Sequence, residues 1–258
     1  MDNKNVTLQQ FLLAFHKGDE QATVYTRLFD DKKRKGIEGI NSQMQIKDID
    51  KHESKLRELN DKGMGAFLVI NGGGQSNNDI TNITAQFVDM DNMSFEEQWE
   101  RINSFYLMPS IIIKSANGYH AYWLIDYGKI SQFTNLQVKL AEHLGGDTAV
   151  KNLSRVMRLP NFYHNKGEPV MVECVKFEPT LRYTQEEISE QLRFYDAVSE
   201  GKIVEGSRNS EIFKLAASCN RKGLSKAQTL YQCIEHNEKN CNPPLSEDEI
   251  KRTVHNAF

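Results

Sequence analysis

Apolar residues recur at helical spacing in "TLQQFLLAFHK", residues 7–17, which puts Phe11, Leu12 and Phe15 on one face of a predicted helix. "ATVYTRLF" then predicts a strand, with Val24 and Tyr25 suited to a pleated surface. Residues 48–62 are charged and helical in pattern, with Ile49, Leu56 and Leu59 as the stripe to be buried. "GAFLVING" predicts a strand ending at Gly72–Gly74, and "NITAQFVDMD" predicts another. "SFEEQWERINSF" opens on a helix-capping signature, Ser94 followed by Glu97. In "SIIIKSANGYHAYWLI" two β-rich runs flank Asn117-Gly118, which predicts a hairpin with those two residues at the centre of its turn. A helix follows over about 131–144 and stops at Gly145-Gly146; "SRVMRLP" and "EPVMVECVKF" predict two further strands. Strands and helices alternate without a strict βαβ rhythm, so the expected class is α+β with a mixed sheet, not a doubly wound sheet.

Near residue 196 the pattern changes. "DAVSEGKIVEGSRNS" is polar and holds two glycines, as a linker would. Three short helical patterns follow, at about 209–221, 225–236 and 246–257, the last introduced by Pro243-Pro244 and by Ser246 with Glu249 three residues on. The expected organisation is a mixed domain over 1–195, a linker over 196–207 and a small all-α domain over 208–258. A chain of 258 residues with 39% hydrophobic content can hold that much core.

Composition narrows the function classes. The formal net charge is −3, so contact with nucleic acid requires a local groove and not a global basic field. The densest basic cluster, Lys32–Lys35, reads as a solvated loop between two elements. The four cysteines form no CxxC pair, and "CIEHNEKNC" lacks a close fourth zinc ligand, so plain thiols of a reducing compartment are expected. The N-terminus carries no signal pattern, and no apolar run approaches the ~20 residues of a membrane span. A cytoplasmic protein with no membrane contact is expected.

Candidate chemistry begins at "VDMD". Side chains at i and i+2 of a strand share a face, so Asp89 and Asp91 point one way while Val88 and Met90 point the other. Paired carboxylates suit hard cations such as Mg²⁺ or Mn²⁺, although a strand-end turn uses the same residues. With Asn117 and Gly118 central in the hairpin turn, Ser115 would sit directly opposite His120, and the two would offer donors to a phosphate. Asp147 follows two glycines, which let backbone approach closely. Arg155 and Arg158 cannot share a strand face, and Lys166 lies in a loop rich in Asn and Gly; these are the cations available to a phosphate.

The order of these segments, "VDMD", then "SANGYH", then "GGD" before "RVMRLPNFYHNK", resembles the archaeo-eukaryotic primase superfamily, above all the primase-polymerases of plasmids, phages and mobile elements. "EGSRNSEIFKLAASCNRKG" with "NPPLSEDEIKRTVHNAF" resembles the helical C-terminal module of such primases. The resemblance implies a primase-type catalytic core followed by that module. It implies metal-binding catalytic acids at Asp89, Asp91 and Asp147, and triphosphate contacts from Ser115 and His120. A downstream basic residue, Arg158 or Lys166, would contact nucleotide phosphate. The implied activity is DNA primase or primase-polymerase synthesis on a single-stranded DNA template. Nucleoside triphosphates would be the substrates and Mg²⁺ or Mn²⁺ the cofactors. Many members continue into a helicase domain and this chain stops at Phe258, so a separate replicative helicase is an expected partner. Two other readings compete: a non-catalytic replication or origin-binding protein that binds single-stranded DNA and recruits a helicase, and a metal-dependent nuclease suggested by "YHAYW".

Overall fold

The structure, a computed structural model, describes residues 6–199 and 207–258. They divide into two compact units, one within residues 6–102 and 109–185, the other within residues 103–108, 186–199 and 207–258. Of the expected linker, residues 196–199 belong to the end of a helix and 200–206 lie outside the described residues.

The first unit opens on α1 (Leu8–Phe15), whose capping box of Thr7 and Gln10 satisfies two N-terminal amides. Phe11, Leu12 and Phe15 are buried, as their spacing requires, and the two Phe rings meet Tyr122 edge-on. β1 (Thr23–Asp30) pairs antiparallel with β2 (Ile40–Gln45) and β3 (Met64–Val69), and β3 pairs with β7 (Val156–Arg158), giving the order β2-β1-β3-β7. β2, "INSQMQ", carries no apolar alternation and is held as an edge strand by its ladder to β1. The charged helix α2 (Ile49–Asp61) joins this sheet's strands and buries Ile49 and Leu56.

The second sheet is built on β6 (Tyr119–Ile125), every residue of which is buried. β4 (Ala85–Met90) and β5 (Ile111–Lys114) both pair antiparallel with β6. β10 (Glu173–Phe177) pairs antiparallel with β5, and β11 (Arg182–Tyr183) pairs in parallel with the end of β6. The sheet is therefore mixed, as expected. β8 (Tyr163–His164) and β9 (Val170–Met171) form a small separate ribbon. Two helices flank the second sheet in sequence, α3 (Phe95–Ser104) and α4 (Ile130–Leu144).

The hairpin is present, but its register differs from the expected one. Ile113, not Ser115, lies opposite His120, and the chain closes from Ser115 to Gly118 through Ala116 and Asn117. A turn centred on Asn117-Gly118 needs positive φ at both residues, and neither has it. Gly118 serves a different purpose. A Cβ there would stand 1.7 Å from the carbonyl oxygen of Met90 and 2.6 Å from Gln98 Oε1. Glycine is required for close approach of the hairpin to β4, not for turn handedness. Gly118→Ala is expected to cost about 2–4 kcal/mol, because backbone must shift to admit the methyl. Urea-unfolding midpoints measure this, and a midpoint equal to wild type would refute the contact.

The second unit contains α5 (Gln185–Ser199, from Glu186 onward), α6 (Arg208–Arg221), α7 (Lys226–Asn240) and α8 (Glu247–Asn256). The three expected helices are in place, and Ser246 with Glu249 forms the anticipated capping box. Ile212, Leu215, Ala216, Leu245, Ile250 and Val254 form its core together with Cys219 and Cys233. All four cysteines are free and buried. Burial pushes the Cys233 thiol up to about 12, which keeps it protonated and inert. Among the described residues no helix is long and apolar enough to cross a membrane.

Candidate active site

Acidic and basic residues meet in one cleft of the first unit. The second sheet contributes Asp89, Asp91, Ser115, Asn117 and His120; the first sheet contributes Phe67, Val156, Met157 and Arg158. His164 and Lys166 complete a cavity of ≈ 140 Å³.

The acidic wall follows from the strand pleat. Along β4, Val88 and Met90 are fully buried, while Asp89 is half-buried and Asp91 is exposed just beyond the strand. The β4–β6 register places Asp89 opposite His120, and the carboxylate Oδ1 lies 3.4 Å from the imidazole Nε2. Burial holds the His120 pKa below its ordinary value, against the opposing pull of Asp89. Burial also raises the Asp91 carboxyl, and the charges of Asp89 and Asp147 raise it further. Three carboxylates thus repel one another electrostatically across a small region.

Asp147 reaches that region through its backbone. On the edge of β4 away from β6, buried Gln137 of α4 binds the main chain of Phe87 at both its N–H and its carbonyl. Two residues on, the same edge offers the carbonyl of Asp89, and the N–H of Asp147 donates to it at 2.9 Å. An edge strand is thereby satisfied without another strand. Gly145 ends α4 in the left-handed conformation, turning the chain toward β4. A Cβ on Gly146 would stand 2.2 Å from Val88 Cγ1, so only glycine permits this contact. The Asp147 carboxylate accepts the N–H of Ala149 at 2.8 Å. Among the described residues, no group of three or more His, Cys, Asp or Glu side chains is gathered closely enough to hold a metal ion. The donor set is nonetheless two hard carboxylates on the cavity wall with a third docked beside them. That chemistry fits a divalent cation of the Mg²⁺ type, whose charge would offset the repulsion that raises Asp91.

The opposite wall is cationic. Arg158 and Lys166 line the cavity, whereas Arg155 does not. Arg158 is buried and its guanidinium binds Asp31 through two hydrogen bonds of 2.9 and 2.8 Å. Asp31 also accepts the N–H of Asn165 at 2.9 Å. Burial opposes ionisation of Asp31, but the Arg158 and Asn165 hydrogen bonds outweigh it and hold the carboxyl below its ordinary range. Gly65 makes room for the pair: a Cβ there would lie 2.7 Å from both Arg158 Nη1 and Asp31 Oδ1. Exposed Lys166 completes this wall.

Ser115 is buried and its hydroxyl donates to the Gly118 carbonyl at 3.1 Å. Despite the changed register, Ser115 and His120 line the same cavity. The turn is anchored by Gln98 of α3, fully buried, which accepts the N–H of Tyr119 at 2.8 Å and donates to the Met93 carbonyl at 2.8 Å.

Sequence reasoning missed four contributors: Asp31, Phe67, Gln98 and His164. Asp31 adjoins the lysine run that reads as a solvated loop, and nothing local marks it as buried; Gln98 lies on a helix whose other polar residues are solvated. His164 is buried, and neither ring nitrogen has a hydrogen-bond partner in the structure. Burial and the neighbouring Arg158 charge lower its pKa to about 4, so it is a neutral imidazole at pH 7.

Comparison with known proteins gives the family of each unit and the fold. Residues 75–200 match the RepB DNA-primase N-terminal domain family, and residues 197–257 match the Primase C terminal 1 (PriCT-1) family. The archaeo-eukaryotic primase domain of the cyanophage S-2L primase-polymerase superposes with a TM-score of 0.59 at 19% identity, over 74% of this chain and 99% of that chain. The crystal structure of primase RepB′ superposes with a TM-score of 0.51 at 13% identity, over 97% of this chain and 94% of that one. The catalytic domain of primase RepB′ in complex with initiator DNA gives 0.51 at 12% identity, over 76% and 99%. At such identities the likeness is one of fold. Among curated proteins, none matches the chain. With both family matches in sequence order over residues 75–257 and the fold of a phage primase-polymerase domain around the acidic cleft, the chain is a RepB-type DNA-primase domain followed by a PriCT-1 module.

Proposed function

We propose that the chain synthesises or extends primers on single-stranded DNA by nucleotidyl transfer at the cleft between its two sheets. The observation that carries this reading is a single cavity with Asp89 and Asp91 on one side and Arg158 and Lys166 on the other. A polyanionic substrate needs the cations; carboxylates facing a polyanion serve it only with divalent cations between them. Asp89, Asp91 and Asp147 would hold Mg²⁺ or Mn²⁺, which when bound supply charge to the triphosphate and to the attacking and leaving oxygens.

In the proposed reaction the 3′-hydroxyl oxygen of a primer, or of an initiating nucleotide, attacks the α-phosphorus of a nucleoside triphosphate, its proton passes to water, the bond from the α-phosphorus to the α–β bridging oxygen breaks, and pyrophosphate leaves. The His120 ring N–H and the Lys166 ammonium orient the triphosphate oxygens, joined by the Ser115 hydroxyl once it turns from the Gly118 carbonyl. Arg158 lines the cavity and Asp31 does not, so the pair, joined at both terminal nitrogens of the guanidinium, presents a fixed dipole with its positive end at the cavity. Its guanidinium cannot swing away, so the field at the cavity wall is present before substrate arrives. The PriCT-1 match and the likeness to primase RepB′ support a place in DNA replication.

Labelled nucleotides supplied with an unprimed single-stranded template and Mg²⁺ or Mn²⁺ test the reading. Template-dependent products are expected, and comparing ribo- with deoxyribonucleotides reads the sugar preference. Tight DNA binding with no product from either sugar and either metal would leave a non-catalytic replication protein instead.

A further inference from the structure

We propose that the outer face of the first sheet carries the single-stranded DNA template, from Phe67 through Phe29 to the lysines of the β1–β2 connection. The proposal rests on the nucleotidyl-transfer reading of the adjoining cavity. In the β1–β3 register Arg27 faces Phe67 and Phe29 faces Gly65. Leu28, Ala66 and Leu68 on the alternate positions are in the core, so Phe29 and Phe67 share the opposite, outer face. Phe29 is 40% exposed, unusual for an aromatic residue in mid-sheet, and Phe67 is half-buried. Their rings are 5.5 Å apart at 61°. The Arg158 guanidinium lies 4.6 Å from the Phe67 ring centre. Phe29, Phe67 and Arg158 therefore form a continuous row, and its inner end is the cavity wall.

The outer end of the row is basic. Residues 31–39 connect β1 to β2 and carry Lys32, Lys33, Arg34 and Lys35, all exposed. The connection folds back on the platform, with Gly39 so close that a Cβ there would stand 3.1 Å from the Phe29 ring. Arg34 is bound to Asp30 at 2.6 Å, and Asp31 is bound to Arg158. That leaves Lys32, Lys33 and Lys35, for which the structure shows no ion pair, against Glu38 alone in this segment. In a chain of net charge −3 this excess is local.

Exposed rings beside unpaired ammonium groups suit a strand with unstacked bases and a phosphate backbone, bound without reading its sequence. Size favours the same conclusion. The ≈ 140 Å³ cavity is smaller than the roughly 300 Å³ at which small-molecule sites begin. A bound nucleotide can place its phosphates inside, but its base must lie beyond the rim, beside Phe67. The template base that pairs with it then lies over the platform.

The test uses the full chain and a dye-labelled mixed-sequence single-stranded oligonucleotide, with anisotropy recorded across a salt series. Phe29→Ala should weaken binding about tenfold without changing the salt slope. The triple variant Lys32→Ala, Lys33→Ala, Lys35→Ala should lower the slope of log affinity against log salt by about 2, near 0.7 per lysine for a single strand. Phe29→Trp should add a fluorescence component that the oligonucleotide quenches, a signal that a merely structural residue would not give. Wild-type binding in the first two variants, with no quenching in the third, overturns the template surface and leaves the catalytic reading intact. Absence of single-stranded DNA binding by the wild-type chain overturns both. If Phe29→Ala instead abolishes a concentration-dependent self-association and leaves DNA binding unchanged, the face belongs to a second copy of the chain, and the proposal fails.

Discussion

Asp89→Ala is expected to reduce nucleotide incorporation at least about a thousandfold while single-stranded DNA binding stays within about twofold. Asp89 is the member of the acidic set that touches most of the others. Its carboxylate lies beside the His120 ring, its carbonyl receives the Asp147 N–H, and its charge raises Asp91. The substitution removes the carboxylate and leaves the backbone contact to Asp147 in place. Its side chain is 32% exposed, so truncation opens no core cavity and the fold should persist. Template binding should also persist, because the surface assigned to it lies on the other sheet. Asp89→Asn is the stricter variant, since it keeps the shape and removes only the charge. Incorporation at the wild-type rate by either protein, with Mg²⁺ or Mn²⁺ present, would sink the assigned role of the acidic pair.

The acidic wall was legible in the sequence because it depends on local rules. Strand alternation separates Asp89 and Asp91 from Val88 and Met90, and the structure buries Val88 and Met90 as that rule requires. Gly145-Gly146 read correctly as the stop of α4, and the close approach inferred at Asp147 is the contact of Gly146 with Val88. The hairpin register was misread because Asn-Gly has two physical uses. Here glycine answers the steric demand of Met90 on a neighbouring strand, information that lies outside the hairpin. The Arg158–Asp31 pair joins residues 127 positions apart, and no local pattern marks Asp31 as buried. β2 was invisible for a related reason: "INSQMQ" is a strand only because β1 offers it a ladder. The sequence likewise left open which of Arg155, Arg158 and Lys166 faces the site. Parity along β7 predicts that the two arginines diverge, and only the folded chain shows that Arg158 lines the cavity.

Arg158→Leu is expected to destabilise the first unit by about 3–5 kcal/mol, because it strands the Asp31 carboxylate in a buried position. The side chains of the pair are only 7% and 3% exposed, so water cannot replace the lost partner without opening the structure. For a chain of this size that loss corresponds to a fall in Tm of roughly 6–20 °C. The double variant Asp31→Leu, Arg158→Met should recover much of the loss, since it removes the unpaired charge together with its partner. The same pair sets a pH dependence. The folded Asp31 carboxyl titrates below its ordinary 3.8, so the ionised form is favoured by folding. Its contribution is complete above the unfolded value and is lost as pH falls below about 3.8 toward the depressed folded value. Urea-unfolding midpoints at pH 7 and pH 3 should therefore differ less in the double variant than in the wild-type chain. Incorporation separates scaffold from site: the double variant should fold yet lose the guanidinium that lines the cavity, raising KM for the nucleotide. If it folds and keeps a wild-type KM, Arg158 is structural alone, and Lys166 is the cation that meets the triphosphate.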